Sequence, residues 1–217
     1  MRYATPLAIL GVIVAAIGLS AVASHLHPGG NLPPEDQTDS TPATKTPPAK
    51  KVAATSNQQA ALEINPVHAT LVIDGKGTIQ IDFFPAAAPK TVAHIVTLCK
   101  EGFYNGILFH RVVPDFVAQA GDPKSKGLTV SQLDGANIGS HGSGHSVPLE
   151  ATLPNTQGTI ALARSADLNS GDSQFYFNLQ DNPSLDGKYC VFGKVTSGMN
   201  VVNSIAKGDK IDSFTVH

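Results

Sequence analysis

The sequence predicts a mainly β domain: a closed eight-stranded antiparallel β-barrel capped by two α-helices. Three observations predict this fold class. Short runs of alternating or continuously apolar residues recur along the chain, with turn-forming residues between them. Only two segments have the spacing of an amphipathic helix, and no internal repeat is visible. Many short strands with few helices favour a sheet that closes on itself and is capped at its ends.

The predicted elements begin with a hairpin, in which alternating runs at 69–73 and 78–83 flank the turn Asp-Gly-Lys-Gly. A helix is expected to begin at Pro89 and to end near Gly102, with Val92, Ile95, Val96 and Cys99 on one face. Two short strands follow within 109–122, and then a long loop at 122–153. The remaining predicted elements are strands at 158–164, 173–179 and 189–195, a short helix at 199–206 and a final strand at 211–216.

The N-terminus separates from this domain by composition. Residues 4–23 are apolar, follow the single charge of Arg2 and end in Ala-Val-Ala. The run has the length of a membrane-spanning helix, and its end suits signal peptidase. Both a cleaved signal peptide and a retained anchor place the rest of the chain outside the cytoplasm, in the cell envelope or periplasm. Residues 24–60, rich in Pro, Thr, Ala and Lys, are expected to be a flexible tether ahead of a domain at 61–217.

Charge and cysteine content exclude some function classes. The 217-residue chain has a net charge of −2, so no nucleic-acid partner is expected. Cys99 and Cys190 could pair in an oxidising compartment, but their apolar settings on a helix and a strand favour two buried free thiols. A membrane contact is expected only through the N-terminal segment, if it is uncleaved.

The segment 109–122 carries the strongest functional signal. It reads Phe-His-Arg-Val-Val-Pro-Asp-Phe-Val-Ala-Gln-Ala-Gly-Asp, two extended runs broken at Pro114. In the first run, alternation would place Phe109, Arg111 and Val113 on one face and His110 on the other. In the second run, Phe116, Ala118 and Ala120 would alternate with Val117, Gln119 and Gly121. An arginine in such a run is either ion-paired or held as a donor against an apolar pocket.

This segment resembles the signature of the cyclophilin family of peptidyl-prolyl cis-trans isomerases. Further pieces downstream strengthen the resemblance: Gly-Thr-Ile-Ala-Leu-Ala-Arg at 158–164, Ser-Gln-Phe-Tyr-Phe at 173–177, Leu-Asp-Gly-Lys-Tyr at 185–189 and Val-Phe-Gly-Lys-Val at 191–195. Their order and spacing are more specific than any single piece. The resemblance extends from about residue 69 to the C-terminus, with only the long loop hard to align, and it implies the cyclophilin-like barrel.

The resemblance also implies an activity and a site. Rotation about an X-Pro bond must overcome roughly 18–20 kcal/mol without breaking a covalent bond, so no cofactor or metal is implied. Arg111 would be the catalytic residue, stabilising the twisted imide nitrogen. The implied substrate-binding residues are Phe116, Val117, Tyr176 and Leu185 in the proline pocket, Tyr189 in place of a pocket histidine, Gln119 bonding the substrate backbone and Ser165 offering backbone groups. The partners would be proline-containing polypeptides, bound by a monomer.

Alternatives remain open at individual residues. Arg111 could be a structural ion-pair residue, and Gln119 an outward-facing strand residue. His110 is interpreted as a structural hydrogen-bonding residue rather than a general base. His141 and His145, in a glycine-rich setting, are interpreted as solvated loop residues rather than half of a metal site.

Departures from the family pattern suggest changes in specificity. The chain has no tryptophan, and Ser184 stands where eukaryotic members carry one, which implies weak inhibition by cyclosporin. Tyr176 replaces a pocket phenylalanine, and Val117 a methionine, so the preference for the residue before proline should shift. The rival functions are a non-catalytic peptide-binding module on the same fold and an envelope scaffold that acts through its tether and loop.

Overall fold

An antiparallel sheet organises the part of the chain that the computed structural model describes, residues 65–134 and 137–217. Its strands are β1 (Val67–Ile73), β2 (Gly77–Phe83), β3 (Arg111–Val113), β4 (Val117–Ala120), β5 (Thr159–Leu162), β6 (Phe175–Asn178), β7 (Cys190–Ser197) and β8 (Ile211–Val216). The α-helices within these ranges are α1 (Pro89–Lys100), α2 (Val130–Leu133) and α3 (Met199–Asn203). Two 3-10 turns lie at Pro123–Ser125 and Pro183–Leu185. The short helix α2, inside the long loop, was not predicted.

The strands follow the order β3-β4-β6-β5-β7-β2-β1-β8, so β3 and β8 are the edges of a curled, open sheet. The expected antiparallel eight-stranded sheet is confirmed, but the closed barrel is not. The chain ahead of β3 meets the chain ahead of β8 at an isolated bridge between Leu108 and Lys210. Backbone hydrogen bonds between 106–109 and 208–211 flank this bridge, but β3 itself pairs only with β4.

The first hairpin shows how the alternating pattern determines the register. Gly75 has φ +68° in the turn, a conformation that favours glycine. Ile73 then pairs with Gly77, and Leu71 pairs with Ile79. Ala69, Leu71 and Ile73 of β1 are therefore buried on one face, as the period-two pattern predicted.

The main hydrophobic core lies on this same face of the sheet and is dominated by aromatic rings. The centroids of Phe83 and Phe192 are 5.3 Å apart, and those of Tyr104 and Phe175 are 5.5 Å apart in an edge-on arrangement. Phe214 contacts this group from β8. Each buried phenylalanine contributes roughly 1.5–3 kcal/mol, so this cluster is a major source of the stability of the sheet.

Helix α1 packs against this core through Val92, Ile95, Leu98 and Cys99, while Val96 is only partly buried. The predicted helix and its apolar face are therefore largely confirmed. Cys99 and Cys190 are both free and buried, as expected.

The predicted signal peptide or anchor at 1–23 and the predicted tether at 24–60 lie outside the described residues. Within the described ranges, no helix combines the length and the hydropathy that a bilayer crossing requires.

Candidate active site

A cavity of about 450 Å³ opens on the face of the sheet that points away from the main core. All the residues that the sequence suggested for catalysis and substrate binding line it: Arg111, Phe116, Val117, Gln119, Ser165, Tyr176, Leu185 and Tyr189. The cavity therefore assembles residues from β3, β4, β6 and three connecting segments. Its volume lies in the range that is usual for ligand-binding pockets.

The strand register explains why these side chains meet. Gln119 pairs with Arg111 on one side and with Tyr176 on the other, so the three form a row across β3, β4 and β6. Val117 lies two residues from Gln119 and shares its face. Their neighbours Ala118 and Phe177 also pair, but both belong to the main core. Alternation thus separates the cavity from the core across one sheet.

Val117 and Tyr176 also belong to a second, smaller apolar cluster that includes Ala161 and Val191. Phe116, Leu185 and Tyr189 pack against it from the surrounding turns. The rings of Tyr176 and Tyr189 lie 6.0 Å apart at 80°. These side chains form an apolar wall on one side of the cavity.

Strict alternation was wrong at two aromatic residues. Phe109 lies in the main core rather than on the face of Arg111, because β3 begins only at Arg111. The chain changes partner at this point: the N–H of Phe109 donates to the carbonyl of Asp209, whereas the N–H of His110 donates to the carbonyl of Gln119. Phe116 precedes β4 and belongs to the turn after Pro114, so it lines the cavity instead of sharing the face of Ala118.

Arg111 is half-buried and has no carboxylate within ion-pair distance among the described residues. Its Cζ lies 5.8 Å from the centroid of the Phe116 ring. Burial lowers the pKa of Arg111, and the nearby Tyr189 opposes that shift. A guanidinium remains charged at any working pH, so the cavity wall carries an unneutralised cation beside an apolar surface.

His110 lies outside the cavity lining and is only 6% exposed. The expected structural hydrogen bond is not found, because neither ring nitrogen has a partner within the described part of the chain. Burial lowers its pKa to about 4, and the charge of Arg111 acts in the same direction, while Asp122 opposes the shift. The imidazole is therefore neutral near pH 7 and packs as a core residue.

A chain of amides connects the strands to the long loop. The Nε2 of Gln119 donates to Oε1 of Gln174 at 3.0 Å, and the Nε2 of Gln174 donates to the carbonyl of His141 at 2.8 Å. Gln119 therefore faces the cavity in a fixed orientation and is not a freely solvated strand residue.

A buried polar network supports the apolar pocket from below. The hydroxyl of Tyr176 donates to Oδ1 of Asn155 at 2.9 Å, and Asn178 donates to the same oxygen at 3.3 Å. Asn182 donates to Oδ1 of Asn178 at 2.7 Å and to the carbonyl of Phe116 at 3.1 Å. The tyrosine that replaces the family phenylalanine thus has a hydrogen-bonded anchor, which restricts the position of the pocket wall.

The long loop forms the other wall of the cavity. The fully buried carboxylate of Asp122 accepts hydrogen bonds from the backbone N–H groups of Gly139 and His141, and lies 3.3 Å from Nδ1 of His141. His145 is exposed. In the described ranges, no group of three or more His, Cys, Asp or Glu side chains could hold a metal ion.

Sequence reasoning missed several cavity residues. Gln174 lies within a matched motif, and Arg164 ends another, so the resemblance could have flagged both. His141 and Asp172 enter the cavity through loop contacts that no local pattern indicates. Ser165 is placed at the cavity, but its N–H donates to Ser170 and its carbonyl already accepts a bond from Arg164.

The fold and the site together define a protein with a partly apolar groove on the outer face of its sheet and a cation on the wall of that groove. The family model described as cyclophilin type peptidyl-prolyl cis-trans isomerase/CLD matches residues 68–216, and the chain belongs to this family. The family and the relatives below are peptidyl-prolyl cis-trans isomerases, which is the enzyme class of this chain.

Similar proteins agree with this assignment. A probable peptidyl-prolyl cis-trans isomerase of Brucella abortus (strain 2308) is 39% identical over 160 residues, which cover 73% of this chain and 81% of the relative. A Helicobacter pylori (strain ATCC 700392 / 26695) peptidyl-prolyl cis-trans isomerase is 43% identical over 143 residues, covering 64% of this chain and 80% of the relative. A crystal structure of a Cryptosporidium parvum cyclophilin type isomerase has the same fold, with a TM-score of 0.60 at 20% identity over 70% of this chain and 98% of its own. The structure of that protein in the presence of the dipeptide Ala-Pro has a TM-score of 0.59 at 21% identity, over 69% and 98% of the two chains.

Proposed function

We propose that the protein accelerates the rotation of X-Pro bonds in exported or unfolded polypeptides, with Arg111 stabilising the twisted imide and the apolar pocket holding the proline ring. The observation that carries the proposal is that Arg111 is half-buried at this pocket without a carboxylate partner in the described ranges. A cation that is not neutralised by the protein can act on the substrate.

The chemistry follows from what changes during rotation. As the imide twists, resonance is lost and the lone pair returns to the proline nitrogen. A donor placed near that nitrogen binds the twisted form more tightly than the planar form, which lowers the barrier. Arg111 supplies this donor, while Phe116, Val117, Tyr176 and Leu185 hold the ring in place.

Gln119 and Ser165 would hold the peptide backbone on either side of the proline. Gln119 is oriented by its bond to Gln174, and its side-chain Oε1, which accepts no hydrogen bond from the described residues, would accept from a substrate N–H. Ser165 can offer only the second lone pair of its carbonyl, since its N–H already donates to Ser170. The Ala-Pro dipeptide present with a structurally similar protein supports a proline-containing substrate.

The test compares the full chain with Arg111→Ala and Arg111→Lys in an NMR exchange assay on an Ala-Pro peptide. Loss of a preorganised donor to the transition state should reduce kcat/KM by about 100-fold. Arg111→Lys should recover only part of the loss, because an ammonium lacks the fork of donors. Circular dichroism must show that both variants remain folded.

The rival, a non-catalytic binding module, makes a different prediction for the same samples. It requires that the parent bind the peptide without accelerating exchange, and such a result would replace the isomerase proposal. An unchanged rate in folded Arg111→Ala would instead remove Arg111 from the mechanism.

The place of action would be the cell envelope outside the cytoplasm, behind a cleaved signal peptide or a retained membrane anchor at 1–23 and a tether at 24–60. This part of the proposal rests on the apolar N-terminal run and on the Pro-rich segment after it. Fractionation of cells that express the full chain tests it, and recovery in the cytoplasm would contradict it. The mass of the recovered chain distinguishes cleavage from anchoring.

A further inference from the structure

A second guanidinium lies on the wall of the cavity. Arg111 and Arg164 are the arginines of the described ranges, and both line this one cavity. Arg164 follows β5 and is held beside the apolar wall rather than extended into solvent. Nothing in the proposed mechanism for X-Pro rotation uses it.

The position of Arg164 is determined by three contacts. Its Nε donates to the carbonyl of Lys188 at 2.8 Å, and its Nη1 donates to the carbonyl of Ser165 at 2.8 Å. Its Cζ lies 4.7 Å from the centroid of the Tyr189 ring. Stacking and two bonds to neutral carbonyls orient the guanidinium without neutralising its charge.

Donors remain available on this group. A guanidinium has five N–H groups, and two of those of Arg164 donate hydrogen bonds within the protein. The remaining N–H groups have no acceptor among the described residues, and no carboxylate there lies within ion-pair distance of Arg164. An oriented guanidinium with free N–H groups matches the planar geometry of a carboxylate.

The rest of the cavity does not cancel this charge. Asp172 is its one acidic lining residue among the described residues, and it lies with the long-loop wall. The carboxylate of Asp172 accepts from Ser143 and from the N–H of Gly144 at 2.9 Å, and lies 3.2 Å from Nε2 of His94. Burial alone would raise the pKa of Asp172, but these hydrogen bonds hold it below its ordinary value. Asp172 is thus occupied by internal partners, and the cavity carries an excess of positive charge.

We infer that Arg164 binds a carboxylate of the substrate near the X-Pro bond. The enzyme would therefore prefer proline segments flanked by an acidic group. The inference rests on the proposed function, because it assigns a substrate class to the same cavity. The carboxylate can come from an Asp or Glu side chain or from a free chain terminus. Because the pair is partly solvated, the preference should be about 3- to 10-fold in kcat/KM.

A purely structural role for Arg164 leads to a different outcome. If the guanidinium only orders Tyr189, its loss would weaken the pocket wall for every peptide by the same factor. The ratio of kcat/KM between an acidic and a neutral peptide separates the two roles, whereas a single peptide does not.

The experiment measures that ratio by NMR exchange on the full chain. Amidated peptides carry Glu or Gln on either side of Ala-Pro, and a further pair compares a free with an amidated C-terminus after proline. Arg164→Gln is the test variant, and Arg164→Lys asks whether charge alone is sufficient. Lys194→Gln is the matched control, since Lys194 is exposed on β7 and outside the cavity.

The parent and Lys194→Gln should prefer the Glu peptide at one flank about 3- to 10-fold, and the preference should decline with salt. In Arg164→Gln the ratio should fall to about 1, as expected when the partner charge is removed. A preference confined to the free C-terminus identifies the terminal carboxylate as the source.

Three outcomes would overturn the inference. The parent could show no preference, the preference could persist in Arg164→Gln, or Arg164→Gln could lose the same factor of kcat/KM on all peptides. A parent that accelerates the neutral peptide without discrimination leaves the proposed function intact, whereas no acceleration of any peptide refutes the proposed function itself.

Discussion

At the scale of single residues, sequence neighbours have opposite environments. Arg111 is half-buried and faces the cavity, whereas His110 is buried away from it with no hydrogen-bond partner for its ring in the described ranges. The backbone changes partner one residue earlier, between Phe109 and His110, and both His110 and Arg111 then pair with β4. Because successive side chains of a strand point to opposite faces, one enters the packed interior and the next faces the groove. The catalytic proposal for Arg111 and the exclusion of His110 as a general base follow from this alternation.

The burial of His110 predicts a pH dependence of stability. Its pKa is lowered from the ordinary 6.5 to about 4, so between these values the unfolded chain binds a proton that the folded chain does not. Stability contributed by neutral His110 is present above pH 6.5 and is lost as the pH falls toward 4. At pH 4.5 the cost should be on the order of 2–3 kcal/mol relative to pH 7.

Urea unfolding at pH 4.5 and pH 7 measures this loss of stability in the parent and in His110→Leu. The variant should lose less stability on acidification, and other titrating groups cancel in the comparison. His145→Gln, which changes an exposed histidine, serves as the control. Equal acid sensitivity in the parent and in His110→Leu would show that His110 is not the responsible group.

At the scale of elements, helix α1 depends on a residue far away in the sequence. Pro89 begins the helix as predicted, but Ala88 at the N-cap provides no side-chain hydrogen bond. Glu150 takes that role: its carboxylate accepts from the N–H of Lys90 at 3.2 Å and from the N–H of Thr91 at 2.9 Å. The long loop is thereby attached to the first turn of α1.

Removing this cap should destabilise the domain. Glu150→Ala should lower the free energy of unfolding by about 1 kcal/mol, as for a lost N-cap. Glu150→Gln should lose less, because it keeps an acceptor and loses only the charge at the positive end of the helix. Urea unfolding at pH 7 measures both, with Glu101→Ala as the control, since Glu101 is exposed just beyond the last residue of α1. A cost no greater than that of the control would contradict the capping role.

The elements also show what sequence alone can and cannot predict. The first hairpin, α1 and β8 were predicted because each depends on local spacing or turn residues. The contacts of Asp122 were not, because they depend on residues brought together by the loop. Helix α2 was also missed, although Thr129 and Gln132 form a capping box at its start, which is a local signal. Phe116 departed from alternation because it lies in a turn, where period-two reasoning does not apply.

At the scale of the whole molecule, the family resemblance predicted more than the residue pattern did. The pattern alone gave a β-rich domain, whereas the resemblance brought the eight suggested residues into one cavity. Closure of the barrel was not confirmed, because closure depends on the meeting of two edges that are distant in sequence. The loop wall around His141 and the stack of Arg164 on Tyr189 likewise depend on contacts between segments that are distant in sequence.

The division of the sheet into a packed face and a groove face has a consequence for how clients are handled. The interior is filled with aromatic side chains, so a client never has to be threaded through the molecule. Under the proposed function, a groove on the outside would accept a proline from the middle of a long chain as readily as one near an end. A polypeptide substrate would then be engaged sideways and released without sliding to a terminus, whatever its length.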